Sequence, residues 1–142
     1  MTLDQIQEDI IAEFEQFADW MDKYNYLIEI SKDLEPLDAK HKTPDNVIHG
    51  CQSRVWLVAD VVNGELVFNA DSDAIITKGI IALLIRVLSH RKPEEVMTAD
   101  LYFIDQIGLR QNLSPTRSNG LLAMVKQMKM YALAYHTKLK SS

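Results

Sequence analysis

In residues 3–18, Ile6, Ile10, Phe14 and Phe17 recur at spacings of three and four. That spacing lays them along one stripe of an amphipathic helix. Thr2 followed by Gln5 has the form of a capping box at its start. A second helical stretch, from about Asp22 to Asp33, sets Tyr26, Leu27 and Ile30 on one side. The next segment, "EPLDAKHKTPDN", has two prolines and no periodicity, and reads as a loop.

The period then switches to two. "VWLVADVV" (55–62), Asn63-Gly64 and "ELVFNAD" make a hairpin pattern, because Asn-Gly between β-rich runs favours the two-residue type I′ turn. That turn fixes the register: Val62 faces Glu65, Val61 Leu66, Ala59 Phe68 and Leu57 Ala70. Val55, Leu57, Ala59, Val61, Leu66, Phe68 and Ala70 then share one apolar face. Trp56, Asp60, Glu65 and Asn69 share the other, mixed one. A slip of one residue would destroy this segregation.

"DSDAIITKGIIALLIRVLSHRKP" opens with carboxylates able to cap a helix and stops at Pro93. Its middle is apolar almost all round, which predicts a buried helix across the sheet. A helical turn at "PEEVM" and another around "LYFIDQIG", ending at Gly108, follow. Ser114-Pro115 then opens a long final helix, as N-cap and first helical residue. The chain shows no repeat, low-complexity tract or linker. The expectation is one α+β domain over residues 1–142: a small antiparallel sheet built on a β-hairpin, flanked by N-terminal helices, a buried central helix and a long C-terminal helix.

The composition is that of a globular domain, 47% hydrophobic and 25% charged over 142 residues. At this length about 70% of the unfolded surface is buried without staples or metal. No apolar run approaches the ~20 residues of a bilayer span, since "GIIALLIRVL" is interrupted by Arg86. The acidic, amphipathic N-terminus is unlike a signal peptide, and one cysteine forms no internal disulfide. These features predict a soluble cytoplasmic protein. A net charge of −5 opposes generic nucleic-acid binding. Acid crowds the first 38 residues, and none follows Asp105, where Arg110, Arg117, Lys126, Lys129, Lys138 and Lys140 stand. This predicts either oppositely charged helices that meet or face solvent, or a polarised surface for protein partners.

The chemistry concentrates at "HGCQSRVWL", residues 49–57. Gly50 permits a sharp turn and close approach of another molecule, and Cys51 falls where a polar loop enters the first strand. An isolated cysteine is commonly inert filler. Alternatively it is a functional thiol, activated by cations such as Arg54, near in sequence, or Arg117 on the final helix. Arg117 in "SPTRSNGL" fits the helix dipole poorly. It either reaches back to a carboxylate or is held near an anion. Asn119-Gly120 inside a helical pattern costs stability and implies close packing of that turn. Trp56 reads as a partly covered surface aromatic or an interface residue. His41, His49 and Cys51 lie near one another, but no CxxC or HExxH accompanies them. With His90 and His136 they offer no spacing that marks a cysteine–histidine pair.

"GCQSRVWL", "DSDAIITKG" and "LSPTRSNGLLAMV", in this order and at these separations, resemble the SufE family of sulfur acceptors. The opening "DWMDKYNYLIEI" is similar as well. The resemblance implies that Cys51 takes a sulfane sulfur from a SufS-like cysteine desulfurase and passes it to a scaffold for iron–sulfur cluster assembly. It places Arg117 and Asp73 near the cysteine loop. It implies no cofactor on this chain, the pyridoxal phosphate belonging to the desulfurase. Other classes stay open: an interaction domain in which Cys51 is structural, and a zinc-dependent sulfur acceptor. A homodimer through Trp56 and the mixed hairpin face is a further expectation.

Overall fold

Asn63 and Gly64 both have positive φ, 55° and 80°, as a type I′ turn requires. They join β1 (Val55–Val62) to β2 (Glu65–Ser72) in an antiparallel pair. The register is the expected one, from Val62 opposite Glu65 to Val55 opposite Ser72. Val55, Leu57, Leu66, Phe68 and Ala70 are buried, so the apolar face points into the core. This computed structural model describes residues 1–140.

Around the hairpin stand α1 (Leu3–Glu15), α2 (Trp20–Ser31), α3 (Ile75–Leu88), α4 (Pro93–Thr98), α5 (Phe103–Gln106), α6 (Leu109–Asn112) and α7 (Pro115–Lys140). The architecture is α+β. The capping box of α1 forms, Thr2 and Gln5 exchanging side-chain and backbone bonds at 2.8 and 3.1 Å. Helix α1 stops earlier than its apolar stripe suggests. Helix α2 starts earlier than expected because Asp19 caps it, accepting the Asp22 N–H at 2.9 Å. The proline-bearing loop holds two short 3-10 turns, Ala39–His41 and Pro44–Asn46.

Helix α3 is buried along most of its length and packs between α2, β2 and α7. Gly79 allows the α2 contact: a Cβ there would lie 2.4 Å from the Leu27 carbonyl oxygen. The carboxylates before α3 do not cap it. Its N-cap is Ala74, without a side-chain bond. Asp73 instead accepts the Arg54 N–H at 3.0 Å, and Asp71 accepts the Ser72 N–H at 2.8 Å.

A two-stranded sheet leaves two edges whose backbone groups need partners. On the β1 edge, the Val55 carbonyl accepts the Ile48 N–H at 2.8 Å. Further along, the Leu57 and Ala59 carbonyls accept the hydroxyls of Tyr131 and Tyr135 on α7, at 3.3 and 3.0 Å. On the β2 edge, the chain leaving α3 turns back through His90, whose φ is 60°. There the Leu66 N–H donates to the Arg91 carbonyl at 2.7 Å, and the Phe68 N–H to the Ser89 hydroxyl at 2.9 Å. The hairpin is thereby fixed on both sides, and α7 is fastened to β1.

Candidate functional site: a thiol between the hairpin and the last helix

The Ile48–Val55 bond closes the base of a short loop that carries Gly50, Cys51, Gln52 and Ser53. Gly50 has φ +96°, and a Cβ on it would come within 3.3 Å of the Ala123 Cβ on α7. Both the turn and the close approach therefore require glycine. After the tip, the loop is held again. The Asp73 N–H donates to the Arg54 carbonyl at 3.2 Å, the Ser72 hydroxyl donates to the same carbonyl at 2.9 Å, and Asp73 accepts the Arg54 N–H.

Between these anchors, Cys51 leans against the first turns of α7. Its Sγ lies 3.6 Å from the Gly120 carbonyl oxygen, with the S–H as donor. A Cβ on Gly120 would touch Sγ at 3.5 Å and the Cys51 Cα at 3.8 Å. Close packing of the Asn119-Gly120 turn is thus packing against the thiol. Ser114 caps α7 as expected, its Oγ accepting the Arg117 N–H at 3.3 Å.

A cavity of 90 Å³ opens beside the thiol. The loop contributes Gln52 and Ser53, α3 contributes Thr77 and Ile80, and α7 contributes Thr116, Arg117, Gly120 and Met124. Arg117, 66 positions from Cys51 in sequence (117 − 51), therefore shares its cavity. Its side chain is exposed, and among the described residues its guanidinium has no carboxylate partner. Of the two readings of Arg117, the reach to a carboxylate is not what forms. Asp73 does not line the cavity; it holds the loop by the Arg54 backbone. Arg54 itself is exposed.

Cys51 is half-buried, and burial pushes its thiol above the ordinary cysteine value. Desolvation of the sulfur is the cause of that shift, and it disfavours the thiolate in this conformation. A thiol raised in this way is a weaker source of thiolate, the form that acts as nucleophile.

Asp71 carries no signal in the sequence that sets it apart from its acidic neighbours. It is buried on β2 and meets Lys42 at 2.9 Å and Lys78 at 3.3 Å. Lys42, on the segment leading to the cysteine loop, also lies over the Trp56 ring, 5.3 Å from its centre. Trp56 is thus partly covered within its own chain. The two lysines carry no apolar periodicity, so only the fold reveals this cluster.

A wider surface cavity, 470 Å³, lies between α2 and α3. Three of its polar groups are occupied with one another: Arg86 pairs with Glu13 at 2.9 and 2.5 Å, and Tyr26 donates to the same carboxylate. Among the described residues no group of three or more His, Cys, Asp or Glu side chains is arranged to hold a metal ion.

A family model described as "SufE: Fe-S metabolism associated domain" matches residues 8–132. The chain belongs to the SufE family. An uncharacterised SufE-like protein of Rhizobium etli is 40% identical over 133 residues, spanning 90% of this chain and 87% of that one. The SufE-like protein 1, chloroplastic/mitochondrial, of Arabidopsis thaliana is 39% identical over 132 residues. That match spans 92% of this chain and 36% of the plant protein. The solution structure of a hypothetical protein from Thermus thermophilus superposes with a TM-score of 0.76 at 21% identity, over 93% of this chain and 96% of that one. This last likeness shows the fold. No helix among the described residues is long and apolar enough to cross a membrane. SufE membership ties the chain to iron–sulfur metabolism.

Proposed function

We infer that the chain is a sulfur carrier. Cys51 accepts a sulfane sulfur from the persulfide of a SufS-like cysteine desulfurase, stimulates that enzyme by clearing its product, and passes the sulfur to an iron–sulfur cluster scaffold. The observation that carries this reading is the placement of the one thiol. Cys51 sits at the tip of a loop anchored at both ends, beside a cavity of 90 Å³ that it shares with an arginine unpaired among the described residues.

Each part suits the chemistry. The thiolate attacks the outer sulfur of the donor persulfide, as in thiol–disulfide exchange. Arg117 offers a cation to the charged sulfur, and Asp73 keeps the loop in register through Arg54. With no second cysteine, the chain cannot discharge its cargo by closing a disulfide. In this reading the chain needs no cofactor of its own, and the pyridoxal phosphate belongs to the desulfurase. It acts in the cytoplasm as one domain over residues 1–142, and the burial of Cys51 means that docking must bring the loop outward.

Incubation with a desulfurase, its cofactor and cysteine, followed by intact mass, tests this. One added sulfur on the wild type and none on Cys51→Ser supports the carrier. Normal activity of Cys51→Ser returns the chain to the class of interaction domains.

A further inference from the structure

The buried polar side chains among the described residues are Gln7, Ser31, Asp71, Thr77 and Ser89. Buried polar groups are as a rule hydrogen-bonded. Gln7 reaches the Asp100 carbonyl and the Phe103 N–H, and Ser31 reaches the Ile28 carbonyl. Asp71 holds its two lysines, and Ser89 accepts the Phe68 N–H. Thr77 is the exception: at 7% exposure, its hydroxyl makes no hydrogen bond to another of the described residues. Its oxygen is not sealed off either, and it opens onto the cavity of 90 Å³ that Thr77 lines together with Cys51. The thiol is not its partner, because the Cys51 S–H donates to the Gly120 carbonyl at 3.6 Å.

The cavity is well above the ~10–15 Å³ that admits a water, so one further sulfur atom on Cys51 fits in it. A persulfide ionises more readily than a thiol, and its outer sulfur then carries the charge. Three features of the cavity suit an anion. Arg117 lines it from α7 as a cation. Thr77 stands in the first turn of α3, whose N-cap, Ala74, makes no side-chain bond, so the positive end of that helix lacks a capping group. The Thr77 hydroxyl is itself a donor. The other charged groups nearby are engaged or turned away. Lys78 is tied to Asp71, Asp73 and Arg54 bond through the backbone, and His49 is exposed and does not line the cavity.

We propose that Thr77 binds the transferred sulfur: its hydroxyl donates a hydrogen bond to the outer sulfur of a Cys51 persulfide, inside the cavity at the start of α3. The biological sense of this rests on the sulfur-carrier reading. A polar side chain is thereby accounted for in a wall that the buried Ile80 and Met124 otherwise make apolar. Thr77 and Arg117 meet the sulfur from two helices, one as a buried donor and the other as an exposed cation. The donated bond favours the ionised form of the persulfide.

The test compares wild type, Thr77→Ser and Thr77→Val as full chains, loaded without a desulfurase. Cys51 is converted to a mixed disulfide with thionitrobenzoate, and hydrogen sulfide then displaces the aromatic thiol: Cys51–S–S–Ar plus H–S–H gives Cys51–S–SH plus Ar–SH. One S–S bond breaks as another forms, and no oxidant or reductant is consumed. Intact mass verifies one added sulfur, and the near-ultraviolet absorbance of the persulfide anion is followed against pH. Valine keeps the shape and loses the donor, so its midpoint should lie about one pH unit above that of wild type. Serine keeps the donor and should match wild type. The pH profile of alkylation of the empty thiol should move less in Thr77→Val, because Sγ faces Gly120. An unchanged persulfide midpoint in Thr77→Val would overturn the proposal. Equal shifts of thiol and persulfide would do the same, since they would reflect the polarity of the cavity rather than a bond to the outer sulfur. A lower melting temperature of empty Thr77→Val would assign the hydroxyl to the unloaded fold and would also overturn it. Failure of a desulfurase to load the wild type condemns the carrier reading, whereas the sulfide-loaded titration still decides the role of Thr77.

Discussion

Asp73 and Arg54 are joined twice through the backbone: the Asp73 Oδ1 accepts the Arg54 N–H at 3.0 Å, and the Asp73 N–H donates to the Arg54 carbonyl at 3.2 Å. The aspartate therefore acts three residues beyond the thiol, as an anchor of the loop. Asp73→Ala should cost about 1 kcal/mol of loop order while leaving the core intact. Alkylation of Cys51 by iodoacetamide should quicken about fivefold, the factor such an energy sets. An unchanged alkylation rate would mean that the anchor lies elsewhere.

Asp71 lends the fold a dependence on acid. Burial works against its carboxylate, but the Lys42 ammonium, the Ser72 N–H and Lys78 outweigh it and hold it below the ordinary value. A carboxylate with a lowered folded value stabilises the fold above its unfolded value, about 3.9. That stability fades as pH falls through the lower folded value. Urea midpoints of the wild type should therefore drop as pH falls below about 4. Asp71→Asn should start about 1–3 kcal/mol lower at neutral pH and show a shallower drop over the same window.

Two helical glycines should answer substitution in opposite ways. Gly120→Ala places its Cβ in ordinary contact with Cys51, 3.5 Å from Sγ, and should raise stability by up to about 1 kcal/mol. Gly79→Ala drives its Cβ to 2.4 Å from the Leu27 carbonyl oxygen and should lower stability by about 1–3 kcal/mol. Thermal melts of the two variants check both signs.

Much of the fold is legible in the sequence because it is local. The hairpin follows from Asn63-Gly64 and the segregation of its two faces, and the start of α7 follows from Ser114-Pro115. What is not legible depends on distant partners. Asp71 and Asp73 look like helix caps, yet their oxygens serve the Ser72 and Arg54 amides. Tyr131 and Tyr135 look like ordinary helix residues, yet they close the edge of β1. The tight turn at Gly120 is readable, but its neighbour Cys51 is not. Nearby cations suggest an activated thiol, whereas burial pushes its pKa up.

Arg117 is exposed at the thiol's cavity, and its guanidinium has no carboxylate partner among the described residues, so its removal should separate stability from transfer. Arg117→Ala should change stability by no more than about 0.5 kcal/mol, as surface substitutions do. The rate of sulfur acceptance should fall about tenfold, the loss of one bond to a charged group. Arg117→Lys should recover part of it. A normal rate in Arg117→Ala would remove this side chain from the mechanism.

The most direct measurement is the intact mass of the protein after incubation with a cysteine desulfurase, pyridoxal phosphate and cysteine. A gain of about 32 Da, one sulfur, is expected on the wild type, reversed by reductant and absent from Cys51→Ser. No adduct on the wild type, with the desulfurase unstimulated, would contradict the carrier and leave Cys51 as packing against Gly120.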